Sequence, residues 1–143
     1  MKDELHRFLD TQEDTYDMAL AEIKSGKKRS HWMWYIFPQI RGLGFSETAK
    51  YYAIHNRAEA ELFLNHPVLG KRLREISAVL LTLKENNPTS VFGSPDDLKL
   101  KSSMTLFSLV EESDENVFSK VLKKYYGGSD DEKTRQLLNS KRS

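Results

Sequence analysis

The chain has 143 residues, of which 38% are hydrophobic and 30% charged, and its net charge is +1. That suits one domain with a thin core and a heavily charged surface, and the bulk charge implies no acidic or basic partner. The absence of cysteine excludes a disulfide framework, a zinc–thiolate site and a cysteine nucleophile.

No apolar run approaches the roughly 18 residues of a membrane span, and the opening MKDELHRFLDTQED has no apolar leader segment. The expectation is a cytoplasmic chain with no membrane contact. Charge is unevenly spread. Residues 1–23 hold seven acids and two bases, whereas residues 24–41 hold five bases (Lys24, Lys27, Lys28, Arg29, Arg41) and no acid.

The first helix is predicted over residues 14–25, because Tyr16, Ala19, Leu20 and Ile23 recur at i, i+3, i+4 and i+7. Phe8 and Leu9 extend it backwards or pack beneath it, and Gly26 fits a C-cap. Ser30 then opens a short helix over residues 31–37, stopped by Pro38. A buried strand is the alternative there, since aromatics and Ile favour sheets. No other segment offers a partner strand, and a lone strand leaves its backbone unpaired. Arg41-Gly-Leu-Gly44 reads as a loop.

Ser46 opens a helix to about residue 53. Asn56, with Glu59 three positions on, reads as a capping box and leads into a helix to Leu64. Pro67 suits the first turn of a helix to about residue 85, with Leu69, Leu73, Ile76, Leu80 and Leu83 on one face. Asn86-Asn87-Pro88 ends it. Ser94-Pro-Asp-Asp97 combines a serine cap, proline at N1 and two acids in the first turn. The helix it starts should reach about Glu112, with Leu100, Met104, Phe107 and Val110 or Glu111 inward. Asp114 caps the next, which carries Val117, Phe118, Val121, Leu122 and Tyr125 inward and ends at Gly127-Gly128. Ser129-Asp-Asp-Glu132 opens a last helix with Leu137 and Leu138, and residues 141–143 fray. The expected architecture is all-α: a compact single domain over residues 1–143, with about seven helices, short loops and an ordered core over about residues 8–138.

Local metal-site spacing is missing. The four histidines, His6, His31, His55 and His66, form no i+3 or i+4 pair and no H-E-x-x-H. No metal and no cofactor is implied. Ser25-Gly-Lys-Lys28 lacks the rest of a phosphate-binding P-loop and follows a helix instead of a strand. Ser25-x-x-Lys28 has the spacing of a serine–lysine dyad, but a capped, exposed serine explains it.

Two segments carry the densest chemistry. The aromatic run HWMWYIFPQ, residues 31–39, is apolar nearly all round if helical, and such helices are normally buried. Its indoles, imidazole, phenol and amide then need partners, which a ligand pocket would also supply. The second segment is DDLKLKSSMTLF, residues 96–107. Ser102, Ser103 and Thr105 sit mid-helix, where their hydroxyls either bond back to i−4 carbonyls or line a pocket beside Lys99.

The stretches HWMWYIFPQIRGLG, EAELFLNHPVLGKRL and SPDDLKLKSSMTLF, in this order, resemble one bacterial family of domains of unknown function, family 1810. The resemblance runs over about residues 8–138. It implies a compact all-helical fold and supplies no activity. Some members carry the label calpastatin, but this sequence has no inhibitor-like repeats.

Three functional readings follow. In the first, a small-molecule pocket lies between the two segments and takes a nucleotide or ADP-ribose-like ligand. The motif order also resembles, by analogy only, helical domains proposed to process ADP-ribose derivatives. His31 is then the general acid or base, because imidazole titrates nearest neutrality. Lys99 and Ser103 complete the catalytic set. Trp34 or Trp32 stacks on a ring, Lys99 and Arg41 hold phosphate or carboxylate, Gln39 orients the ligand, and Lys28 and Ser102 add contacts. In the second, the basic and aromatic stretch over residues 24–41 is a non-catalytic surface for RNA or protein. In the third, the chain is a structural helical protein with no ligand. Oligomeric state is not readable.

Overall fold

In the computed structural model residues 5–111, 113 and 115–140 are described, and nine helices run through them. They are α1 His6–Lys24, α2 Met33–Ile36, α3 Glu47–Tyr52, α4 Arg57–Asn65, α5 Leu69–Thr82, α6 Pro88–Phe92, α7 Asp96–Val110, α8 Val117–Tyr126 and α9 Glu132–Ser140. Among the described residues none of these helices is long and apolar enough to cross a membrane.

The all-α expectation holds, with nine helices among the described residues in place of about seven. Some of the capping signals act as read. Ser46 Oγ accepts from the Ala49 N–H at 3.1 Å, and Gly127 takes the left-handed C-cap of α8 at φ 64°. The first helix starts earlier than its periodic residues suggest, at His6, with Phe8 fully buried on its inner face.

Several details differ, among them Pro67, which precedes the Val68 N-cap of α5 instead of entering the first turn of that helix. Asn87 does more than end a helix: its side chain accepts from the Thr89 N–H at 2.9 Å and starts α6, with Pro88 in the first turn. The helix before it stops at Thr82, short of residue 85. Ser94 does not cap α7, because Pro95 holds the N-cap position after a cis Ser94–Pro95 bond. Glu59 closes no capping box onto Asn56. Asn56 Oδ1 accepts from the Glu59 N–H at 2.9 Å, but the Glu59 carboxylate is taken by Arg7 and the His55 N–H. Glu112, Asp114 and residues 141–143, which figured in the expected helix ends, lie outside the described residues. Asn116 caps α8.

The core is organised by rings. Phe8 meets Phe63 edge-on at 5.1 Å between centroids, Phe63 meets Phe107 at 5.4 Å, and Phe107 meets Phe118 at 5.9 Å. This chain links α1, α4, α7 and α8. All four rings are fully buried, and large rings supply much of the burial energy available to a thin core. A second group, Trp32, Phe37 and Phe92, joins the aromatic segment to α6.

Candidate functional site

The aromatic segment is anchored before it turns. Glu22, near the end of α1, accepts the N–H groups of Arg29 at 2.7 Å and Ser30 at 3.0 Å, the Ser30 hydroxyl at 2.6 Å and the Trp32 indole at 2.9 Å. Partial burial works to raise the Glu22 pKa, but these donors outweigh it and hold the carboxyl at about 2. With Ser30 engaged this way, no helix starts at residue 31. Only one turn forms, α2, and Pro38 follows.

Beyond Pro38 the chain is stapled to a second segment. Ile40 and Ile54 form an isolated parallel bridge. Ile54 N–H donates to the Gln39 carbonyl at 2.8 Å and Arg41 N–H to the Ile54 carbonyl at 2.9 Å. The strand alternative for residues 31–37 is not realised, since Met33–Ile36 is helical; the isolated bridge among the described residues falls beyond that run, at Ile40, with Ile54 as a partner that patterning did not reveal. The bridge fixes where residues 39–44 sit.

A cleft of about 230 Å³ opens between this segment, α7 and the start of α9. Trp34, Gln39, Leu43 and Gly44 form one wall, Pro95, Leu98, Lys99 and Ser102 the other, and Asp131 closes the end. The Lys99 ammonium lies 3.9 Å from the centroid of the Trp34 ring, a cation–π contact across the two walls. Ser102 donates to the Leu98 carbonyl and to Asp131 Oδ2, each at 3.2 Å. The Thr134 N–H also donates to Asp131 Oδ2, at 3.1 Å.

Four of the nine residues expected at a site, Trp34, Gln39, Lys99 and Ser102, therefore share this cleft. The other five do not line it. His31 is exposed and is not among the residues that line the cleft. Trp32 is 0% exposed with its N–H committed to Glu22, so its ring is not open to a ligand or to a nucleic-acid platform. Ser103 is also 0% exposed. Its i+4 spacing from Lys99 suggested a shared face, but the position falls on the core stripe with Leu100, Met104 and Phe107. Among the described residues its hydroxyl has no hydrogen-bond partner. Ser102 and Thr105 do bond back to i−4 carbonyls.

Lys28 serves a carboxylate. Its ammonium lies 2.8 Å from Asp96 Oδ2, while the Lys99 ammonium lies 3.1 Å from Oδ1 of the same group. Burial works to raise the Asp96 pKa, and the two lysines overcome it and hold the carboxyl below its ordinary value. Both cations are thereby neutralised in part. Arg41 is exposed and lies beside the cleft, in a smaller groove that shares Trp34, Gln39, Leu43 and Gly44 with it.

Sequence reasoning missed Asp131, Leu98, Pro95, Leu43 and Gly44. Asp131 carries the signal of a helix start and nothing more. Leu98 had a usable signal: it is apolar, sits off the buried stripe of α7, and is 61% exposed. Among the described residues no three His, Asp or Glu side chains gather into a group that could hold a metal ion.

The family described as "Protein of unknown function (DUF1810)" matches residues 2–138. The structure is similar to the crystal structure of the conserved hypothetical protein Rv1873 from Mycobacterium tuberculosis. The TM-score is 0.92 at 43% identity, over 95% of this chain and 96% of that one. Among curated proteins none matches the chain.

Proposed function

The chain belongs to the DUF1810 family, proteins of unknown function, and from that premise we propose that it binds a small, planar, polar ligand of the nucleoside class in the cleft between residues 34–44 and α7. The carrying observation is the convergence of Trp34, Gln39, Lys99, Ser102 and Asp131, from three separate segments, on one cavity of about 230 Å³. A cavity of that size suits one ring system and its immediate substituents.

Each wall has a distinct task. Lys99 covers one face of Trp34, so the rest of the indole, with Leu98 and Pro95, offers apolar surface to a ring. The Gln39 amide supplies both a donor and an acceptor. The Asp131 carboxylate accepts from an exocyclic amino group or a sugar hydroxyl, because among the described residues its Oδ1 receives no hydrogen bond. Lys99 is paired with Asp96 and Asp131 is acidic, so the cleft is close to neutral. A phosphate placed inside it would meet Asp131 and be repelled.

The two tryptophans make the test direct. Trp32 is buried and Trp34 is half-buried at the cleft. Titration with adenosine, guanosine, cytidine and uridine should give a saturable emission change with at least one of them, and Trp34→Phe should abolish it. No emission change and no thermal shift with any nucleoside at millimolar concentration would sink the proposal.

A further inference from the structure

We infer that the ligand carries an anionic tail, a phosphate or pyrophosphate ester, which leaves the cleft past Gly44 and meets Arg41 and Lys50; this rests on the cleft reading above. The groove beside the cleft is lined by Arg41, Gly42 and Lys50, and it shares Trp34, Gln39, Leu43 and Gly44 with the cleft itself. A ring seated against Trp34 therefore has a continuous path to both cations. The groove holds only about 20 Å³ of enclosed space, too little for a second ring. It suits a charged group that remains partly in water.

The charge pattern favours this end. Lys28 and Lys99 share the Asp96 carboxylate. Among the described residues, the side chains of Arg41 and Lys50 have no carboxylate within ion-pair distance and no hydrogen-bond acceptor. Arg41 is held in place through its backbone, by the N–H bond to Ile54, so its guanidinium is free for a bidentate anion contact. The acid of the site, Asp131, lines the cleft and not the groove. The assembly is thus near neutral where the ring sits and positive where the tail would emerge.

Backbone donors add to it. Among the described residues, the N–H groups of Gly42, Leu43 and Gly44 donate to no protein acceptor. Two of the three positions are kept free of a side chain for reasons of geometry. Gly42 has φ +109°, and a Cβ on Gly44 would lie 2.6 Å from Ala49 Cβ. Bare consecutive amides beside two free cations resemble the backbone nests that hold phosphate.

The test compares each nucleoside with its 5′-diphosphate by calorimetric titration, in wild type, in Arg41→Gln/Lys50→Gln and in Lys71→Gln as a surface-charge control. In wild type the diphosphate should bind about tenfold tighter or more than its nucleoside, as expected for one or two charge-assisted hydrogen bonds. That ratio should fall toward one in the double variant and persist in Lys71→Gln. Rising salt should erode it in wild type. Equal wild-type affinity for nucleoside and diphosphate overturns the tail assignment and leaves the cleft reading standing. So does a ratio that survives the double substitution. Binding by neither class overturns both.

Discussion

The Trp32 indole N–H donates to Glu22 Oε1 at 2.9 Å, and that bond joins the end of α1 to the ring on which the cleft's aromatic wall is founded. Trp32 contributes no surface to the cleft. It is fully buried against Phe37 and Phe92 and sets the path by which Trp34 reaches the opening. An acid near the C-terminal end of a helix runs against the helix dipole. The four hydrogen bonds Glu22 accepts explain why one stands there.

The pH consequence has a definite sign. The Glu22 carboxyl sits at about 2 in the folded protein, against an ordinary value of 4.5. Its contribution to stability is fully present above that ordinary value and is lost as pH falls toward 2. Glu22→Gln should therefore be less stable than wild type at neutral pH and should flatten the acid limb of the stability curve in this window. Chemical denaturation at a series of pH values reads this out. Two parallel curves would refute it.

Glu59 is a buried acid, and its partner is specific. Arg7 grips it with two bonds of 3.0 and 3.1 Å, and both side chains are under 10% exposed. Arg7 also donates to the Ala53 carbonyl at 2.8 Å, so one cation ties α1 to both ends of the connection before α4. Removing the acid takes from that buried cation the carboxylate that grips it. Glu59→Ala should cost about 3–5 kcal/mol by urea denaturation. A loss under about 1 kcal/mol, the range of surface ion pairs, would show that the pair is solvated in practice.

Gly70 is set by close approach. A Cβ there would lie 2.0 Å from the Leu64 carbonyl oxygen, which also accepts from Arg74 at 2.9 Å. Both of the shortest contacts are to Leu64 backbone, which cannot swing aside as a side-chain end could. Gly70→Ala should destabilise by about 3 kcal/mol, the upper end for overpacking, although alanine is otherwise the better helix former. A melting temperature equal to wild type would count against this packing of α4 on α5.

Asp96 holds Lys28, 8% exposed, and Lys99, 21% exposed, at once. Asp96→Asn keeps the shape and removes the charge. It should cost about 2 kcal/mol and leave Lys99 freer to act as an anion site inside the cleft. Affinity for anionic ligands should then rise while stability falls. A parallel loss of both would mean that Asp96 matters only for holding α7 in place.

Much of the helix architecture was legible because period and caps agree along most of the chain. The stripe Leu100, Met104, Phe107 and Val110 predicts the buried face of α7, and Ser46 predicts the start of α3. Legibility failed where a side chain was recruited from a distance. Glu22 captures Ser30 from eight residues away and cancels the helix expected after it. Arg7 draws Glu59 out of its local cap from 52 residues away. The cleft was legible in part for the same reason. Trp34, Gln39, Lys99 and Ser102 announce themselves by chemistry in place, whereas Asp131 joins them only because α9 folds back onto α7. Ser103 shows how narrow the margin is: one residue along the helix moves a hydroxyl from the cleft into the core.

The bridge between Ile40 and Ile54 turns residues 41–53 into a closed loop, pinned at its neck by two backbone hydrogen bonds. A tethered loop has already surrendered most of the freedom that an open one would lose on meeting a ligand. The wall bearing Leu43 and Gly44 is thus prepared in advance, and binding there need not supply the entropy of ordering it. Such a site gains affinity from few contacts, and a cleft this small has room for only a few.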